Sequence, residues 1–491
     1  MAKRNGGIIG PSNVPTGQYG GTASGVWRLR DAFNYIKAGL WPVAGNYPVG
    51  NSARFNSGSS DNLSRTTWGT ATSDKIFTMS IWVKRSNLSS AQQLAGAYDG
   101  ITGNDNQIKF NSSDQLSLTV SSSGAEYFLT TTQLFRDVGA WYHIVFAYDS
   151  TQATSSNRYK LYVNGSQITS FGTADYPTQN LTYQFFRNSN ANRIGSIWNG
   201  GEYLNGYISE FNFIDGQALT PSSFGQTDSA TGIWTPLPYT GTYGTNGFFL
   251  KFANSAALGT DSSGNGNTFT ANNLTSVDQS TDTPTNNFST MNPLNYTPAA
   301  ITYTEGNLKL AFPASWNASI STIGVSAGKW YWEAKAVTAG NNIFYGIMTE
   351  NATTNTATPY TQIGVLCGKT TDGDKYLDTT YTASGFGTSA NGDILGFALD
   401  LDSGTKNLTI TKNGAAFTGG SVNLSSNFNN VNIFAFFAGN SSSAAAGWEV
   451  NYGSPMYAGG SYADGAGYGN FSYAVPSGFY ALNTKNLATY G

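Results

Sequence analysis

The sequence predicts an all-β protein: two β-sandwiches in tandem, preceded by an extended arm and one short amphipathic helix. Three observations carry this reading. Apolar residues recur with period two in many short runs, NG and DG pairs separate those runs, and glycine accounts for 58 of 491 residues. A chain of this length exceeds one ordinary domain.

Residues 1–48 are expected to form an N-terminal arm and helix. Positions 1–24 are rich in Gly, Pro, Ser and Thr and read as extended chain. The segment GVWRLRDAFNYIKAGLWP (25–42) then places Leu29, Phe33, Ile36 and Leu40 on one helical face, with Trp27 and Trp41 at its ends. Gly39 and Pro42 supply the stop. About three turns cannot hold a helix alone in water, so the stripe needs a surface to cover it.

From Asn51 the period changes to two. FTMSIWVKR (77–85) sends Phe77, Met79, Ile81 and Val83 to one face and Thr78, Ser80, Trp82 and Lys84 to the other, which is expected to face outward. AWYHIVFAYD (140–149), RYKLYVNG (158–165) and YISEFNFIDG (207–216) alternate likewise, with turns at Asn164–Gly165 and Asp215–Gly216. FFLKFAN (248–254) and NTFTANNL (267–274) are expected to add strands to this first sandwich, giving it residues 49–275. The polar stretch 276–295, with Pro284 and Pro293, reads as a linker. A second sandwich spans 296–455, and a Gly/Tyr-rich C-terminal extension spans 456–491. No short tandem repeat of solenoid type is present.

Two resemblances sharpen the fold. ARFNSGSSDNLSRT, FTMSIWVKR, WYHIVFAYD, LYVNG and NGYISEFNFIDGQALTPSSFG, in this order over about 49–225, resemble a laminin-G-like, concanavalin A-type jelly roll. GKWYWE (328–333), YGI (345–347), GDILGFALDLD (392–402) and ITKNG (410–414) resemble a SPRY domain, another concanavalin-like sandwich. The closing PSGFYALNTKNL (476–487) and the opening GVW-x-L-x-D with its later W-P resemble phage structural proteins that carry SPRY domains. The resemblance implies a phage virion structural protein, tail-fibre or tailspike-like. By analogy with fibres it also implies a homotrimer.

Composition excludes several classes. Only 11% of residues are charged, against roughly 25% in an average soluble protein. Hydroxyls and amides therefore carry solubility, and they also suit carbohydrate partners. A net charge of −3 offers no basic stripe for phosphates, so no nucleic-acid partner is expected. The single cysteine, Cys367, cannot form an intrachain disulfide and reads as a small buried hydrophobe. No secretory h-region follows MAKRNGGIIGPSN, and no apolar run approaches the ~20 residues of a membrane span. Synthesis in a host cytoplasm, followed by residence on the virion surface, fits all of this.

Catalysis is not expected. Paired carboxylates are what glycoside hydrolysis needs, and the seven glutamates form no E-x-D-x-x-E strand motif. Asp400 and Asp402 share a face but belong to a strand end. The lone His143 sits in a core-type strand without a local triad and reads as structural. No cofactor is expected. Asp261, Ser263 and Asn265 alternate before Gly266 like the start of a calcium loop, but position 272 is Asn where an EF-hand needs Glu. A plain Asn/Gly turn is the competing reading, and the preferred one. For glycan binding, the Gly-rich hairpin IGSIWNGGEYLNG (194–206) offers Trp198, Asn199, Glu202, Tyr203 and Asn205. The competing reading, and the preferred one, is an ordinary hairpin whose aromatic folds onto the sheet.

The function implied is adhesion to host-surface glycans by a tail-fibre component, with the N-terminal segment docking it to other virion proteins. A capsid-surface or head-fibre decoration protein is the alternative, and a polysaccharide depolymerase the third reading. Phe33→Asp should abolish incorporation into particles while the β-domains still fold. Normal particle assembly by that variant would refute the anchor.

Overall fold

A computed structural model describes residues 47–491 apart from 102, 123, 188–190, 230, 295–300, 338–341, 441–445 and 459, together with Asp31, Asn34, Tyr35 and Lys37. Those four residues have helical backbone, within the stretch where the period of 3.6 places a helix. The expected docking residues Trp27, Leu29, Phe33, Ile36, Leu40 and Trp41 lie outside the described residues.

The first sandwich packs two eight-stranded sheets face to face. In one, Ser166–Gln167, Tyr159–Val163, Trp141–Asp149, Ile76–Arg85, Gly206–Asp215, Ser52–Phe55 and Gln279–Ser280 lie side by side. The strand Phe248–Leu250 also pairs with Gly206–Asp215, as FFLKFAN predicted. The opposing sheet runs Phe171–Ala174, Ala125–Leu134, Gln115–Ser122, Asp105–Phe110, Gln92–Tyr98, Ala191–Ile194, Asn62–Arg65 and Thr270–Asn272. Phe77, Met79, Ile81 and Val83 are wholly buried between the sheets, which is the alternation read from the sequence. The Asn164–Gly165 turn has φ of 47° and 80°, as a type I′ hairpin requires.

The other face of that central strand departs from expectation. Thr78, Ser80, Trp82 and Lys84 do point away from the core, but all four are buried. The chain after Asp215 folds back over them, bringing Leu219 against Thr78 and Trp234 against Trp82. Lys84 is covered from the other direction by the segment 282–288.

The second sandwich has the same two-layer plan. One sheet is ordered Thr302–Thr304, Lys309–Ala311, Gly447–Asn451, Lys329–Ala336, Ile394–Asp400, Asn407–Lys412 and Ala415–Asn423. The other is Asn317–Ile320, Ile433–Gly439, Ile343–Thr349, Val365–Lys369, Lys375–Leu377 and Thr380–Thr382. Trp330, Trp332, Phe397 and Trp448 fill the space between them. Cys367 is buried on the far side of the second sheet, among Phe344, Met348 and Phe436. The C-terminal extension packs onto this sandwich. Tyr480–Ala481 pairs in parallel with Lys329–Ala336, and the Asn483 side chain caps the helix Thr484–Tyr490.

The segment 276–295, which its composition marks as a linker, is a buried strap rather than a free tether. Ser280, Asp282, Thr283, Phe288, Ser289 and Met291 are each at most 2% exposed. Gln279–Ser280 extends the first sandwich, whereas Met291 bridges to Ser321 and enters the core of the second. Polar side chains are buried here because charged groups of the first sandwich need them. Lys84 donates to Asp282 (2.8 Å), to the Asn287 side chain (2.7 Å) and to the Phe288 carbonyl (3.1 Å). Trp141 donates to the other Asp282 oxygen at 3.1 Å.

A second joint centres on Arg54, which is fully buried. Its guanidinium reaches Asp278 (3.1 Å) and Glu305 (3.2 Å), and also the carbonyls of Val277, Pro455 and Met456. Tyr207 donates to the Gly306 carbonyl at 3.0 Å. Gly306 has φ of 65°, and a Cβ there would lie 2.1 Å from the Tyr207 hydroxyl, so this turn requires glycine. Removing one partner of a buried ion pair strands the other, at a cost of roughly 3–5 kcal/mol. Asp282→Ala should therefore destabilise the chain by about that amount in urea denaturation. A loss below 1 kcal/mol would show that Lys84 escapes to water.

Candidate functional site

The segment 194–206 is not the hairpin read from the sequence: it is a loop that crosses from Ala191–Ile194 in one sheet to Gly206–Asp215 in the opposing sheet, built by its glycines and by the sheet beneath it. Ile197 N–H donates to the Gly201 carbonyl at 3.1 Å, and Leu204 N–H donates to Gly195 at 2.9 Å, closing the loop. The loop then lies back over the strand Gln92–Tyr98. Gly96 permits this, since a Cβ there would come within 3.2–3.3 Å of the backbone of 196–198. Gln93 N–H donates to the Glu202 carbonyl at 2.8 Å, stitching loop to strand.

Four of the five side chains singled out in the sequence border an open sheet face. The Trp198 ring stacks on Tyr98 with centroids 4.0 Å apart and planes 22° from parallel. Asn199 is exposed at the tip, and Tyr203 is half-buried. The Glu202 carboxylate accepts from Lys109 Nζ (3.0 Å) and Gln93 Nε2 (2.9 Å), and Gln93 donates onward to Gln107 at 2.8 Å. Asn205 instead serves the fold: it accepts from Ser57 N–H (2.9 Å) and donates to Ser57 Oγ (2.7 Å).

Tyr98, Gln93, Gln107 and Lys109 were not singled out from the sequence. The signal available was alternation: in DNQIKF, Asp105, Gln107 and Lys109 share the face opposite Ile108 and Phe110. Trp198 does fold onto the sheet, as the competing reading had it; what the sequence could not supply is which strand residues it meets there. The result is a half-exposed aromatic pair next to an ion pair whose side chains are 21% and 31% exposed. Ring faces suit the C–H faces of a pyranose, while a carboxylate, an ammonium and amides suit its hydroxyls.

The other candidates resolve differently. Asp261 accepts four hydrogen bonds, from the N–H groups of Phe249, Ser263 and Asn267 and from Ser263 Oγ. Asn265 donates its amide to the Gly244 and Gly247 carbonyls. These three residues thus form a self-satisfied turn in which the carboxylate is already saturated. Among the described residues, no group of three or more acidic, histidine or cysteine side chains could hold a metal. Burial alone would raise the Asp400 pKa, but Lys329, Ser403 and the turn amides outweigh it and hold the group down to about 2. Asp402 accepts from Gly328 N–H at 2.7 Å, as a strand-end residue would.

Glu210, unremarked in the sequence, sits at a bulge in the strand Gly206–Asp215 with φ of 47°. Burial pushes it up to about 7, partly offset by Lys251 and Tyr47.

Residues 57–223 are similar to the concanavalin A-like lectin and glucanase superfamily. The matched stretch lies within the first sandwich. Among solved structures, the SPRY domain of human HERC1 is 13% identical, covering 29% of this chain and 87% of its own, with a TM-score of 0.25. A second human SPRY domain is 18% identical, covering 32% and 96%, with a TM-score of 0.25. A heptameric SAP-like pentraxin from Limulus polyphemus is 15% identical, covering 35% and 80%, with a TM-score of 0.27. These likenesses say nothing of what the chain binds. No curated protein matches the sequence.

His143 is fully buried on the covered face of the first sandwich. Its ring stacks on Trp82 at 4.7 Å and on Trp234 at 6.0 Å. Trp234 Nε1 can only donate, so its 2.8 Å contact makes His143 Nδ1 the acceptor and leaves the proton on Nε2, facing Ser80 Oγ at 2.8 Å. Burial drives the pKa down to about 3 from the ordinary 6.5. Between those values the unfolded chain carries a proton that the folded chain refuses. Stability present above pH 6.5 is therefore lost as the pH falls through this window, by at most about 1.4 kcal/mol per unit. Melting curves of the wild type and His143→Gln should diverge below pH 6.5, with the variant less acid-sensitive. Parallel curves would contradict this account.

Proposed function

We propose that this chain is a glycan-binding adhesin of a phage particle, a tail-fibre component that grips host-surface polysaccharide through the open face around Trp198. The observation that carries this reading is the Trp198–Tyr98 stack beside the Lys109–Glu202 pair. It joins aromatic surface to convergent hydrogen-bonding groups on a lectin-like sandwich. The stack also restrains both rings before any ligand arrives, which lowers the entropy cost of binding.

The phage setting is supported by the terminal sequence phrases, by the low charge, and by an N-terminal apolar stripe that needs a partner. Display in several copies, a trimer by analogy with fibres, would convert a weak single-site affinity into firm attachment. Binding without turnover is the chemistry we assign, because Glu202 is committed to Lys109 and Gln93, and Asp105, the other acid on that face, is engaged by Gln107.

Trp198→Ala should weaken binding of the full chain to host-surface polysaccharide at least tenfold by titration, about 1.4 kcal/mol, with its melting temperature retained. Unchanged affinity would remove the loop from the site. A fall in polysaccharide chain length during incubation would instead make the protein an enzyme.

A further inference from the structure

We propose a second saccharide site, in the cleft where the two sandwiches meet, for a single neutral sugar unit. The cleft has a volume of about 260 Å³ and is lined from both sides. Ser255, Gln279 and Thr281 come from the first sandwich and the strap, and Ser454, Tyr457 and Asn470 come from the second.

Its chemistry narrows the ligand. None of its ten lining residues is charged. The nearest buried cation, Arg54, touches the backbone of that lining through the Val277 and Pro455 carbonyls, but its charge is met by Asp278 and Glu305. The cleft therefore offers an anion no unmatched positive charge and a cation no unmatched carboxylate. Uncharged hydrogen-bonding capacity remains. Gln279 uses its amide nitrogen on the Phe252 carbonyl at 2.7 Å and keeps its oxygen. The hydroxyls of Ser255 and Thr281 and the Asn470 amide make no hydrogen bond among the described residues. One aromatic ring, that of half-buried Tyr457, provides a wall; Lys335 Nζ lies 5.3 Å over that ring, with its charge met by Glu449 at 3.2 Å. A ring wall, spare hydroxyls and amides, and no net charge suit a neutral polyhydroxyl ring. The volume lies just below the ~300 Å³ at which small-molecule pockets begin, which suits one ring rather than a chain of them.

The site is rigid because its floor is the joint itself. Ser454 Oγ bonds Ser280 Oγ at 2.7 Å and accepts from Thr281 N–H at 3.2 Å. It is distinct from the Trp198 face and shares no residue with it. The site exists only while both sandwiches are docked, so a ligand held there stabilises the joint by mass action.

The test uses the full chain with methyl glycosides of glucose, galactose, mannose and N-acetylglucosamine, and with glucuronate as the charged counterpart. Binding is read by saturation-transfer NMR and by melting temperature. In Trp198→Ala, at least one neutral glycoside should still bind saturably and raise the melting temperature by about 1–2 °C. Ala458→Trp, which fills the cleft from an exposed position, should weaken that binding at least tenfold. Thr281→Trp does the same from the opposite wall and stands in if the first variant misfolds.

Four results would overturn the site: no neutral glycoside bound by Trp198→Ala, binding indifferent to both filling variants, tighter binding of glucuronate, or a cleft that holds only water. Equal binding by the wild type and Trp198→Ala would count against the Trp198 face and leave the cleft standing.

Discussion

A lysine ammonium placed where water cannot reach it organises the centre of this molecule. Lys84 ends the central strand of the first sandwich, and burying its charge is tolerable only because Asp282, Asn287 and the Phe288 carbonyl surround it. Those three residues lie on the strap that then runs into the second core at Met291. Satisfying one buried charge thus fixes where the second sandwich begins and how the strap must run. Arg54 repeats the device nearby, collecting Asp278 from the strap and Glu305, Pro455 and Met456 from the second sandwich. Removing the strap would strand Lys84, whereas Glu305, Pro455 and Met456 tie Arg54 to the second sandwich directly.

This coupling matters for what the surface can do. The loop that carries Trp198 joins a strand of one sheet of the first sandwich to a strand of the other, and Asn205 ties its base to Ser57. Three residues before Ser57 stands Arg54, so the loop that carries Trp198 and the inter-domain joint are anchored on the same short stretch of chain. A glycan pulling on Trp198 would load a sheet rather than a mobile loop, which is the property an attachment protein under mechanical stress requires.

Much of the fold was legible from local periodicity. Alternation marks Phe77, Met79, Ile81 and Val83 as core, Asn164–Gly165 as a turn and FFLKFAN as an added strand, and the structure has all three. The strap was misjudged because Ser, Thr, Asn and Asp look the same whether they face water or satisfy a buried charge. Only the partners at Lys84 and Trp141, some 140–200 residues away, distinguish the cases. Trp82 and Lys84 carried a clue, since a tryptophan on a supposedly wet face invites a cover. The candidate site was half legible. Its loop is contiguous and so could be seen, whereas Tyr98 and Lys109 reach it only through sheet geometry.

The central claim is that the face around Trp198 meets the glycan. It is tested most directly by following indole N–H resonances of the full chain while host-surface polysaccharide is titrated in. The account predicts that the Trp198 indole signal shifts saturably, while those of the buried Trp330, Trp332 and Trp448 stay fixed. Saturable binding with an unmoved Trp198 signal would contradict it.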